Sequence, residues 1–139
     1  MGEGMKQHMD VQLSSLVDHG DVKDVMKTVR EILSFHYPRH AFRDIEKSFS
    51  YVVSLFRGKV RGYRACNTEY HNLTHTVDAA LASARLLDGY NQVNPPLPEH
   101  IARNLLKAAL LHDSGYIQEE WDTEGSGAKY TSGHVERSV

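Results

Sequence analysis

Cysteine is almost missing from this sequence. Its 139 residues contain one, Cys66, so no disulfide can form within the chain. A scaffold stapled by disulfides is excluded, and a reducing, cytoplasmic setting is the expectation. Long apolar runs are missing too: nothing approaches the roughly 20 residues needed to span a bilayer. The opening Met1-Gly2-Glu3-Gly4 lacks the basic-then-apolar order of a signal peptide. Lys6 stands where a myristoylation motif needs Ser or Thr. Charge of one sign is scarce as well. A formal net charge of −2 gives no global pull toward nucleic acid or an anionic membrane, and neither is expected as a partner. There is no internal repeat, no low-complexity tract and no stretch that reads as a strand.

What is present is helical periodicity. Asp21 is placed to cap a helix in which Val22, Val25, Met26, Val29, Ile32 and Leu33 recur on one face. That helix should stop near Tyr37-Pro38, because the residue before proline disfavours the α region. Ile45, Phe49, Val52, Val53 and Phe56 stripe a second helix, with Gly58 as its stop. Asn67 or Thr68 can cap a third, which carries His71, His75, Ala79, Leu81, Ala84 and Leu87 and should fray at Asp88-Gly89. After the Asn94–Pro98 loop, Pro98 and Glu99 open a fourth helix. Ile101, Leu105, Ala108, Leu110 and Leu111 make it apolar on most sides near its end, which predicts a central position. Residues 114–133 read as a loop with Trp121 and Tyr130 as anchors, and residues 134–139 as the start of a helix. Met9, Val11, Leu13, Leu16 and Val17 are candidate docking points ahead of the first helix. The expectation is one all-α domain over 1–139, with N-terminal helices in 21–57 and a motif-bearing region in 65–139.

The chemistry concentrates between Tyr70 and Asp113. His71 and His75 are four apart, a spacing that sets two imidazoles on one face of a helix. His112 and Asp113 close an apolar run. Such a run should be buried, and burying an acid beside an imidazole is costly unless something pairs with both. A lone histidine is ordinarily a satisfied or exposed side chain. A His pair at helical spacing together with a His-Asp pair reverses that expectation. Imidazole and carboxylate suit one or two divalent ions such as zinc, iron, manganese or magnesium. Setting His134 aside, the remaining five of the nine histidines scatter and read as surface or structural. Arg57, Lys59, Arg61 and Arg64 form a short basic run that is ordinarily a solvated loop. Its sharper reading is a phosphate contact at the mouth of a site.

Tyr70-His71-Asn72-Leu73-Thr74-His75 resembles the Tyr-His-Asn-x-x-His signature of class I cyclic nucleotide phosphodiesterases. Ala108 to Tyr116, with Leu111-His112-Asp113-Ser114-Gly115 at its centre, resembles the central motif of the wider HD superfamily of metal-dependent phosphohydrolases. The two motifs stand in the family's order, and the likeness covers roughly residues 65–139. It implies an all-α HD-type bundle. It makes His75, His112 and Asp113 metal ligands, Asp113 able to bridge two ions, and His134 a further ligand. It makes His71 the acid that protonates the departing oxygen and Asp113 the group that holds the attacking hydroxide. Arg64 and Lys129 become candidate contacts for non-reacting phosphate oxygens. The implied activity is metal-assisted hydrolysis of a phosphate ester, of a nucleotide or cyclic nucleotide by the likeness.

Two departures stand out. Tyr116 occupies the position where the phosphodiesterases have another histidine. The family's last ligand is an aspartate on a later helix, and after Asp113 this sequence has only Asp122, in the expected loop. The expectation is therefore a bundle truncated at its C-terminal end. The rival reading is a non-catalytic or degenerate module that binds a nucleotide or a protein partner. A truncated bundle should also cover its apolar surface by docking or by forming a homodimer. Cyclic nucleotides, nucleoside monophosphates, triphosphates and other phosphate esters all fit the same metal core.

Overall fold

A computed structural model describes residues 16–139. The described chain is all-α: α1 (Val22–Ser34), α2 (Phe42–Phe56), α3 (Leu73–Val93), α4 (Glu99–Leu111) and a short α5 (His134–Arg137). Three 3-10 turns join them, at Arg39–Ala41, Ser114–Tyr116 and Gly127–Tyr130. Among the described residues, the one β feature is an isolated antiparallel bridge between Tyr63 and Glu119. No described helix is long and apolar enough to cross a membrane.

The helices form where the apolar stripes fall. Asp21 caps α1 by accepting from the Lys23 N–H, and Val25, Met26, Val29 and Leu33 turn inward. The helix ends at Ser34, ahead of the Tyr37-Pro38 boundary expected from the sequence. On α2 the buried face is Phe42, Ile45, Phe49, Val52, Leu55 and Phe56. Gly58 ends it with φ +68, and a Cβ there would stand 2.8 Å from the Ala65 nitrogen. Glycine is required at that position twice over, by conformation and by space. Helix α3 packs against α1 on one side and α4 on the other, and α2 packs on α4. Their inward faces fuse into one core.

Several expectations change. α3 starts at Leu73 behind Asn72, five residues later than a cap at Asn67 would give, and it runs on through Asp88-Gly89 to Val93. Gly89 is tolerated because its neighbour Leu87 is buried in the core and holds the last turns down. α4 buries Ala102, Leu106 and Leu110 but leaves Ile101 and Leu105 about two-fifths exposed, so it is one-sided rather than apolar all round. Val17 is buried and Leu16 exposed, while Met9, Val11 and Leu13 lie outside the described residues. Two histidines read as structural prove so. His19 Nδ1 meets Asp78 Oδ1 and His36 Nε2 meets Asp88 Oδ1, tying the two ends of α1 to α3.

The 114–133 segment is built rather than loose. Tyr116, Ile117, Gln118 and Asp122 are buried. Gln118 Nε2 donates to the Glu124 carbonyl and its Oε1 accepts from Asn67 Nδ2. Tyr130 anchors the segment as expected, donating its hydroxyl to Asp122. Trp121 does not: it is 79% exposed, because the turn is pinned by Asp122 next to it.

Candidate metal centre

Four elements meet at one carboxylate. Asp113 follows α4 and is 1% exposed. His71 Nδ1 lies 2.8 Å from its Oδ2, His112 Nε2 3.1 Å and His75 Nε2 3.3 Å. His134 Nε2, at the start of α5, approaches Oδ1 at 3.9 Å. Residues up to 63 apart in sequence thus bring four imidazoles around a single acid. The donor atoms of His71, His75 and Asp113 lie within 4.8 Å of one another and form a group able to hold a metal ion.

Local chemistry sets each ring. His71 does not share a helical face with His75, as their spacing predicted. It sits in the turn before α3, because Asn72 takes the N-cap and accepts from the His75 N–H at 3.0 Å. The turn is stapled on both sides: Thr68 Oγ1 donates to the His71 carbonyl at 2.6 Å and Asn72 Nδ2 to the Glu69 carbonyl at 2.7 Å. The imidazoles converge through a tight turn followed by a helix start. Tyr70 packs on both rings, at 5.1 Å and 4.7 Å between centroids.

His112 and His134 are oriented by the same device. His112 Nδ1 is 2.7 Å from the Ala109 carbonyl and His134 Nδ1 is 2.8 Å from the Thr131 carbonyl. A carbonyl only accepts, so each Nδ1 carries the hydrogen. A neutral ring in that state presents a bare Nε2 lone pair to Asp113. Lone pair would face lone pair at 3.1 Å against a carboxylate that is itself buried, which is unfavourable without positive charge between them. A proton on the ring or a shared cation supplies it. Histidines fixed through one nitrogen by a backbone carbonyl, with the other free, are in the ligand-competent state.

α5 is held in place to deliver His134. Arg137 Nε donates to the Gly115 carbonyl at 2.8 Å, and the same guanidinium reaches the Ile117 carbonyl and Glu119 Oε2. Its Cζ stacks 3.7 Å from the Tyr130 ring centroid. The Arg137 hydrogen bond holds the Glu119 carboxyl below its usual range. Ser138 Oγ accepts from the Gly115 N–H and lies 3.0 Å from the His112 carbonyl. A Cβ on Gly115 would meet the His134 carbonyl oxygen at 2.0 Å. Tyr116, the residue in place of a histidine, is stacked between His71 and His134 at 4.3 Å and 4.5 Å. Nothing in the sequence marked Arg137, Ser138 or the stacking role of Tyr116, since all three act through contacts well beyond one turn of helix, such as Arg137 and Ser138 on Gly115 and Tyr116 on His71.

The two expected phosphate contacts are otherwise engaged. Lys129 Nζ pairs with Asp122 Oδ1 at 2.5 Å and donates to the Glu124 carbonyl at 2.7 Å. Hydrogen bonds from Lys129 and Tyr130 push the Asp122 carboxyl far below its ordinary range, and the Lys129 ammonium is correspondingly raised by Asp122. Arg64 Nη1 donates to the Asp122 carbonyl at 2.9 Å. Lys129 is structural here because the buried Asp122 carboxylate needs a partner, and Arg64 is turned to the backbone of the same residue. That also removes Asp122 as a further ligand.

No family model matches the chain, and neither a curated protein nor a solved structure matches it.

Proposed function

We propose that this chain is a metal-dependent phosphohydrolase whose ion is held at Asp113. The observation that carries the reading is the buried Asp113 carboxylate facing imidazole nitrogens whose opposite nitrogens are committed to backbone carbonyls. The likeness of Tyr70–His75 and Leu111–Gly115 to HD-superfamily motifs supplies the reaction class. His75, His112, His134 and Asp113 would hold the ion, a donor set that suits a borderline or hard divalent metal. When bound, such an ion supplies a more acidic water and positive charge against phosphoryl oxygens.

The rest falls to the chain. Asp113 orients the attacking water, whose oxygen bonds to phosphorus as the ester P–O bond breaks and whose proton is released to solvent, from which His71 is reprotonated for the next turnover. His71 is oriented by Asp113 through Nδ1, and its Nε2 has no partner among the described residues, so it can carry the proton that leaves with the alcohol oxygen. His71 also falls in the closest donor group, so its role as acid rather than ligand is what the test must separate.

Elemental analysis after purification with Zn2+ or Mn2+ should find metal in the wild type and in His71→Asn, and little in His75→Asn or Asp113→Asn. Hydrolysis of an alkyl phosphate should fall roughly a hundredfold or more in His71→Asn, and less for a nitrophenyl ester, which needs no protonated leaving group. A metal-free wild type would end the proposal. A second reading, metal binding without catalysis, draws on Asp113 being the one carboxylate in the cluster among the described residues. Bound metal with no phosphatase or phosphodiesterase turnover would decide for it.

A further inference from the structure

His71 belongs to two things at once. Its Nδ1 stands against Asp113, and it also lines a cavity of about 420 Å3 beside the metal group. The opposite walls come from the turn before α3 and from the Ser126–Thr131 region, with Thr68, Glu69, Tyr70, Tyr116 and Ser126 among them. The volume is that of an ordinary small-molecule site.

The cavity's chemistry is selective in charge. No lysine or arginine lines it, and its one carboxylate is that of the exposed Glu69. Of the nearby cations, Lys129 pairs with the Asp122 carboxylate, Arg137 with Glu119, and Arg64 is turned to the Asp122 backbone carbonyl, away from the lining. What the walls offer is hydroxyls and aromatic surface. Ser126 Oγ accepts from the Ala128 N–H and keeps its own hydrogen free, and the Tyr70 ring is 69% exposed. Walls of that kind hydrogen-bond and stack on a sugar or heterocycle but give a second phosphate nothing to neutralise it.

Resting on the phosphohydrolase reading, we infer that the substrate is a phosphate ester of an uncharged, hydroxyl-bearing body of nucleoside size, with the single phosphoryl group at the metal group and the body in the His71–Ser126 cavity. Among the phosphate esters that fit the metal core, this disfavours triphosphates and other bodies that bear additional phosphate. It also gives Glu69 a part: its carboxylate excludes further negative charge.

Calorimetric titration of the Mn2+-loaded full chain tests this with three probes. Inorganic phosphate reports the metal site alone, adenosine monophosphate adds the body, and adenosine 3′,5′-bisphosphate adds a second phosphate. Adenosine monophosphate should bind roughly tenfold or more tighter than phosphate, a gain of the size that burying a small-molecule body provides, and the bisphosphate should bind more weakly than the monophosphate. Glu69→Lys should invert the order of the two nucleotides, and Ala128→Phe, an exposed position on the cavity wall, should remove the nucleotide's advantage while phosphate binding persists. If phosphate binds but adenosine monophosphate binds no tighter, the cavity inference is overturned and the metal reading stands. If phosphate itself does not bind the metal-loaded protein, both fall. A bisphosphate that binds the wild type more tightly than the monophosphate also overturns the charge argument.

Discussion

At the scale of single residues, the most consequential pairing is the buried Asp122 with Lys129 and Tyr130. It explains why Lys129, a cation near the site, is unavailable to a substrate, and it carries a pH signature. Asp122 sits far below its ordinary 3.8 in the folded chain because Lys129 and Tyr130 hydrogen-bond to the charged form. A depressed carboxylate contributes stability above its unfolded value and loses that contribution as pH falls through the folded one. Asp122→Asn should therefore lower the urea midpoint at neutral pH. The gap from wild type should narrow steadily once pH drops below 3.8. Equal acid sensitivity of the two proteins would show that the pair contributes no linkage.

At the scale of elements, α5 is the one to question. Four residues of helix are too short to stand alone. Its position depends on Arg137, Ser138 and the missing side chain of Gly115. Gly115→Ala puts a methyl group where the His134 carbonyl lies, 2.0 Å away, so α5 must move outward and take His134 with it. The core helices α1–α4 do not depend on that contact. The expected outcome is near-wild-type helix by circular dichroism with metal affinity reduced, the loss attributable to His134. A companion His134→Ala should show the same reduction, and Gly115→Ala on that background should add little. If Gly115→Ala binds metal as the wild type does, α5 is not part of the centre. The cap at Asn72 acts at the same scale: it starts α3 and fixes the turn that turns His71 toward Asp113.

At the scale of the whole molecule, the site is assembled by one core. α3 supplies His75 at its first turn and α4 supplies His112 and Asp113 at its end, and the two helices pack directly together. Leu106, 1% exposed, belongs to the shared core one to two turns before His112. Leu106→Ala should cost about 2–5 kcal/mol, the usual range for a large-to-small change in a core. Denaturant unfolding with an unchanged m-value would register it as stability rather than altered compactness. Metal added at saturating concentration should recover part of that loss, since it binds only where α3 and α4 are joined. No recovery would separate the centre from the folding of the bundle.

How much of this was legible in advance follows from the range of each force. The all-α class, the inward faces of α1 and α2, the Asp21 cap and the Gly58 stop are local: hydrophobic period, caps and a positive φ act within a few residues, so the sequence alone determines them. The convergence of His71, His75, His112, His134 and Asp113 was legible as residue types and motif order, because imidazole and carboxylate in that pattern suit a divalent ion. Tertiary structure decided how they meet. Asn72 rather than Asn67 caps α3, so the two histidines converge through a turn instead of a helical face. Lys129 answers a buried aspartate instead of a substrate, Arg64 turns to the backbone of the same residue, and Arg137 and Ser138 pin α5 to Gly115. The Asn72 cap is itself local and competed with Asn67 close by, but the other contacts depend on which group from elsewhere in the fold lies within about 3 Å, the reach of a hydrogen bond, and no local pattern records that distance.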